Sequence, residues 1–115
     1  MTLKEFYMVT GGDYEGTLSR LITEARIIKF ARKFENDPSF NELCSALERG
    51  NVQDAFLAAH TLKGVSQNLG FEQVFRCSAA VTEILRAGSL DVGTWMDELK
   101  SHYEAVINAL AALEA

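Results

Sequence analysis

Apolar residues recur along this chain at intervals of three and four, and no segment sustains the strict alternation of a half-buried strand, so the pattern predicts an all-α fold. The clearest stripe runs through Val92, Trp95, Met96, Leu99, Tyr103, Val106, Leu110 and Leu113, a helix that Asp91 is placed to open. Phe40, Leu43, Cys44 and Leu47 mark a shorter helix over 38–49, with Asp37 as its N-cap, Pro38 at the first helical position and Gly50 at its end. Val74, Cys77, Val81 and Ile84 mark another over 71–87, stopped by Gly88. A broader stripe of Leu21, Ile22, Ala25, Ile28, Phe30 and Phe34 predicts a helix over 21–35. Ahead of it, Thr2 to Val9 reads as a short opening helix broken by Gly11-Gly12, and Asp13 caps a second short turn.

The segment 51–69 is different in kind. Asn51 caps it and Gly70 provides a left-handed exit. At about 100° per residue, Ala55, Ala59, Leu62, Ser66 and Leu69 gather on one side, while Gln53, His60, Gly64 and Gln67 fall opposite. Lys63 and Gly64 stand three and four residues beyond His60, the spacing of side-chain neighbours on the next turn. A glycine inside a helix is less favourable than alanine by about 0.8–1.0 kcal/mol, and no apolar stripe on that face excuses it by close helix packing. Something outside the bundle needs the space. Phe56 and Leu57 bracket His60, two large apolar residues on a polar side, suited to partial cover by the rest of the fold and to docking a partner.

Short connections at Gly70 and Gly88 make neighbouring helices antiparallel, so 21–35, 51–69, 71–87 and 91–114 are expected to form an antiparallel up-down four-helix bundle, with 38–49 flanking it and short N-terminal helices added. A single proline, no low-complexity run and no solenoid repeat leave one domain over 1–115.

Charge removes several classes of function. A net charge of −5 argues against a general nucleic-acid binder, which needs a basic footprint. The local run of Arg26, Lys29, Arg32 and Lys33 reads as a solvated helix face. No run approaches the ~18 apolar residues of a membrane span and Met1 to Glu5 lead into no signal-like core, which predicts a cytoplasmic protein with no membrane partner. Cys44 and Cys77 each fall on an apolar stripe and read as reduced core thiols. They lack CxxC or histidine spacing, and Glu-x-x-His pairs are missing too, so neither a zinc site nor a carboxylate metal bundle finds support. His102, at the edge of the last stripe, reads as a boundary residue.

The run His60-Thr61-Leu62-Lys63-Gly64, with a further glycine at Gly70, resembles the signature of the histidine-containing phosphotransfer (HPt) domain, His-x-Leu-Lys-Gly followed by glycine six residues on. The helical pattern extends the resemblance from about Leu21 to the C-terminus. The resemblance implies a phosphorelay intermediate: His60 accepts a phosphoryl group from a receiver-domain aspartate, or from a kinase in trans, and passes it to another receiver. A neutral imidazole is a competent nucleophile near neutral pH, and covalent carriage splits one transfer between distant partners into two. In the family the phosphate rides on Nε2 of the histidine.

Lys63 is suited to neutralise the phosphoryl oxygens, Gly64 to leave the imidazole clear, and Gln67 to offer a hydrogen bond, while Gln53, Phe56 and Leu57 are candidates for partner docking. The expected partners are response-regulator receiver domains and sensor histidine kinases, met as a monomer. No cofactor is expected on this chain, because by resemblance the Mg2+ needed for transfer sits on the receiver. No Walker-type loop is present, and Thr61 follows His60 where phosphoaccepting helices of sensor kinases typically carry an acidic residue, so a phosphocarrier without its own kinase activity is expected. The competing reading is a helical interaction module that binds receivers without carrying phosphate. Retention of His60, Lys63 and Gly64 together counts against it.

Overall fold

The structure, a computed structural model, describes residues 1–114; Ala115, the last position of the expected domain, lies outside them. Among the described residues every regular element is a helix: α1 (Leu3–Thr10), α2 (Tyr14–Leu21), α3 (Glu24–Phe34), α4 (Ser39–Glu48), α5 (Val52–Leu69), α6 (Glu72–Arg86) and α7 (Gly93–Ala111). The caps explain the boundaries. Thr2 and Glu5 form a reciprocal capping box at α1, and Asp13, Thr23 and Asn51 each accept a backbone N–H of the first turn of α2, α3 and α5. Gly11 and Gly70 close α1 and α5 in the left-handed region, at φ 68° and 69°.

Three boundaries depart from the sequence pattern. The stripe assigned to one helix over 21–35 is divided: Leu21 ends α2, Ile22 turns the chain at φ 79° and ψ −48° with Thr23 N–H bonded to the Leu21 carbonyl, and α3 starts afresh at Glu24. That restart rotates the buried face to Ile27, Ala31 and Phe34, leaving Ile22 and Ala25 exposed. The second element is therefore a full eight-residue helix rather than a turn. At α4 the cap position is Pro38, and Asp37 instead accepts the Ser39 N–H at 2.9 Å. Asp91 does not cap α7; Val92 holds that position without a side-chain bond, and the Asp91 N–H goes to Ser89 Oγ.

The core is assembled around α5. It packs most extensively on α6, then on α4, and α6 in turn lies along α7. Thus the 38–49 segment, expected to flank the bundle, is in closer contact with α5 than α3 is. The contact surface of α5 explains this: Ala55, Ala58, Ala59 and Leu62 are all buried, and three alanines let neighbouring backbones approach. Buried Ser66, Ser78 and Thr82 are compatible with the same interior because each hydroxyl donates to the carbonyl four residues back. Phe6, Tyr7, Phe34 and Phe71 form an aromatic cluster under the N-terminal helices, with Phe34 edge-on to Phe71 at 5.1 Å between centroids.

Arg32 leaves the solvated basic face assigned to it. It is half-buried, and its two guanidinium nitrogens donate to the Leu110 and Leu113 carbonyls at 2.5 and 2.6 Å, closing the open end of α7. Arg26, Lys29 and Lys33 remain exposed. Cys44 and Cys77 are free thiols, and burial pushes both upward in pKa, which keeps them protonated.

Candidate functional site

α5 is 18 residues long, and His60 stands at its middle on the exposed side, where the wheel placed it. Along the same ridge Gln53, Gly64 and Gln67 are also exposed. Beyond the backbone of α5 and its chain neighbours, a Cβ built on Gly64 meets nothing within 4 Å, so the surface next to the imidazole is open there. Lys63 is half-buried, leaning to the α6 side of the ridge. The seven residues singled out in the sequence therefore share one face of one helix.

Phe56 and Leu57 part company. Phe56 is half-buried, and its ring stacks against the His60 imidazole with centroids 5.9 Å apart and planes 13° from parallel. Leu57 is 61% exposed and stands on the opposite shoulder, at the rim of an open groove shared with Ser45 of α4 and Arg49, the residue that follows that helix. A second groove, between the start of α5 and the end of α6, is lined by Gln53, Phe56, Leu57, Leu85 and Arg86. An apolar shelf thus borders the histidine at its N-terminal side.

Two residues of α6 join the site that the sequence pattern did not single out. Arg86 lies over the Phe56 ring, its Cζ 4.9 Å from the centroid, and its Nε donates to Glu83 Oε2 at 2.9 Å. The hydrogen bond and charge of Arg86 hold the Glu83 carboxyl below its ordinary pKa, and the charge of Lys63 acts in the same direction. Glu83 and Arg86 at i, i+3 look in the sequence like any surface ion pair. Only the packing of α6 on α5 brings them to His60.

The lower end of α5 is closed by the N-terminal helices. The Tyr7 hydroxyl, buried, donates to the Leu69 carbonyl at 2.6 Å, the Asp13 N–H donates to the Gly70 carbonyl at 2.9 Å, and Arg20 Nη2 reaches the Gln67 and Asn68 carbonyls at 3.1 and 3.3 Å. These bonds satisfy the carbonyls that a helix C-terminus leaves open. Tyr7 and Tyr14 had no role in the sequence reading; Tyr14 bonds Glu24, tying α2 to α3.

The family model of the Hpt domain matches residues 32–109, more than half of the chain. The chain belongs to the Hpt domain family, whose members are phosphocarriers of two-component signalling. The match begins after α1 and α2, so the helices that close α5 lie outside it. No curated protein and no solved structure matches the chain.

Proposed function

We propose that this protein is a phosphorelay intermediate in which His60 carries the phosphoryl group between receiver domains, or from a kinase in trans to a receiver. The observation that carries this reading is the exposed imidazole at mid-helix with an empty position beside it at Gly64. An unpaired ring nitrogen of His60 attacks the phosphorus of an aspartyl phosphate. The N–P bond forms with the imidazole lone pair, the P–O bond breaks with its electrons returning to the aspartate carboxylate, and the other ring nitrogen keeps its proton. Lys63 neutralises the phosphoryl oxygens, and Gln67, one turn further, offers a hydrogen bond to the phosphate or partner. Gln53, Phe56 and Leu57 form the shelf on which the receiver docks. The divalent ion needed for transfer, Mg2+, stays with the receiver, and this chain contributes no cofactor.

Consecutive helices packed through short links support an antiparallel up-down four-helix frame for the site. We read the protein as a cytoplasmic, monomeric carrier without autonomous kinase activity. Among the described residues no helix is long and apolar enough to cross a membrane. The test is intact mass after incubation with a panel of phosphorylated receivers. One acid-labile, base-stable phosphate is expected on the wild type and none on His60→Gln, with no gain from ATP alone. Autophosphorylation, or modification that persists in His60→Gln, overturns the reading.

A further inference from the structure

We infer that the C-terminal end of the His60 ridge selects the partner: a cationic rim, set by Arg20 and Lys33 next to Asn68, admits receiver domains whose facing flank is acidic. The inference rests on His60 as the phosphoacceptor and on a receiver as its partner, and it adds a surface from α2 and α3 at the end of α5 away from the apolar shelf. Asn68 is exposed and follows Gly64 by four residues, so the rim begins one helical turn from the open position beside His60. Arg20 reaches it from α2. Its Nη2 bonds the Gln67 and Asn68 carbonyls, which fixes the guanidinium in place, while Nε and Nη1 carry no hydrogen bond among the described residues. Lys33 arrives from α3, its Nζ 5.3 Å from the centroid of the Phe30 ring, and Phe30 and Lys33 line a small open groove with Val65 and Asn68. Lys29, exposed one turn before Lys33, extends the same face.

Charge complementarity names the occupant. The chain has 16 acidic and 11 basic side chains, yet Arg20, Lys29 and Lys33 stand in no ion pair among the described residues. Within α3 four basic residues face Glu24 alone, and Asp37, the carboxylate at the groove, accepts the Ser39 N–H. A receiver that holds Mg2+ beside its acceptor aspartate needs carboxylates there, because Mg2+ takes oxygen ligands. Its approach face is therefore negative, and it meets a protein that is itself acidic. Unpaired cations within about a Debye length of the contact, roughly 8 Å in physiological salt, offset that repulsion and orient the encounter. The apolar shelf does not discriminate by charge, whereas the rim separates an acidic flank from a basic one. Arg20, Lys29 and Phe30 precede the residues that the family model matches, so the rim is largely an addition of this chain.

The test uses the full chain and a phosphorylated receiver that gives phosphate to the wild type, with KM and kcat read separately at about 0.05 M and about 0.5 M salt. Lys33→Glu is expected to raise KM about five- to tenfold at the lower salt and less than twofold at the higher, with the effect confined to KM. Lys29→Glu follows with about two- to fivefold. Arg20→Gln, which keeps an amide donor for the α5 carbonyls and loses only the charge, raises KM about threefold. Lys100→Glu reverses a charge on the exposed side of α7 and is the control for net charge, with KM within about twofold of wild type. Lys33→Glu behaving like Lys100→Glu overturns the inference alone, and phosphatidylserine vesicles that bind the wild type but not Lys33→Glu would then assign the rim to a lipid surface. A rise in KM that persists at the higher salt also overturns it, since the residue then acts through structure rather than charge. A wild-type chain that takes no phosphate from any receiver, or takes it in His60→Gln, overturns the His60 reading and this inference with it.

Discussion

Gly64 and Gly70 belong to the same helix, one in its body and one at its cap, and they meet opposite surroundings. Beyond the backbone of α5 and its chain neighbours, a Cβ on Gly64 touches nothing within 4 Å, whereas a Cβ on Gly70 falls 1.9 Å from Thr17 Oγ1 and 2.8 Å from the Asp13 carbonyl oxygen, at a backbone φ of 69°. Gly70 is required by the fold: the left-handed exit and the seat for α2 both exclude a side chain. Gly64 is not required by the fold at all, and the fold even loses by it. One signature thus joins two glycines in unrelated surroundings, one closed by packing and the other on the open surface beside His60.

Substitution at Gly70 tests the packing half most severely. Gly70→Ala is expected to cost about 2–4 kcal/mol in chemical denaturation, combining a left-handed alanine with displacement of Thr17. A loss below about 1 kcal/mol breaks the contrast. Tyr7→Phe probes the same junction more gently, leaving the Leu69 carbonyl without its donor at a cost of about 1–2 kcal/mol. Burial pushes the Tyr7 hydroxyl up to about 12, so its contribution is complete below pH 10 and is lost as pH rises from there through the folded value. A stability difference between Tyr7→Phe and wild type that does not narrow over that range contradicts the assignment.

Gly64→Ala reverses the sign. It is expected to stabilise α5 by about 0.8–1.0 kcal/mol, while Gly64→Leu folds normally and transfers phosphate poorly. Wild-type transfer by a well-folded Gly64→Leu removes the clearance argument. The smallest effect on stability belongs to Leu57→Ala, at most about 0.5 kcal/mol for a side chain 61% exposed, with about 1–2 kcal/mol lost in affinity for a receiver. Phe56→Ala costs more stability than Leu57→Ala, because its ring is wedged between His60 and Arg86. Equal stability losses in the two variants would show that they share one environment after all.

The helices beyond residue 36 were legible from their apolar periodicity and from Asn51, Gly70 and Gly88, which act within one turn of themselves, whereas Asp37 and Asp91 gave way to Pro38 and Val92 at the cap positions of α4 and α7. The 21–35 stripe misled because Leu21 and Ile22 are apolar for separate reasons, one completing α2 and the other left exposed at a tight turn. Thr23 as N-cap was the available signal for the break, since its side chain accepts the Arg26 N–H. Arg32 is the opposite case: nothing within its own helix distinguishes a solvated arginine from one that closes a helix 78 residues away.

Local chemistry within α5 determined the seven-residue face carrying His60, because helical periodicity assigns direction to every side chain without reference to the rest of the molecule. The separation of Phe56 from Leu57, the arrival of Glu83 and Arg86, and the closure of α5 by Tyr7, Asp13 and Arg20 were decided only by tertiary structure. Each depends on which helix lies beside which shoulder of α5, and that is set by burial summed over the whole core rather than by any residue at the site.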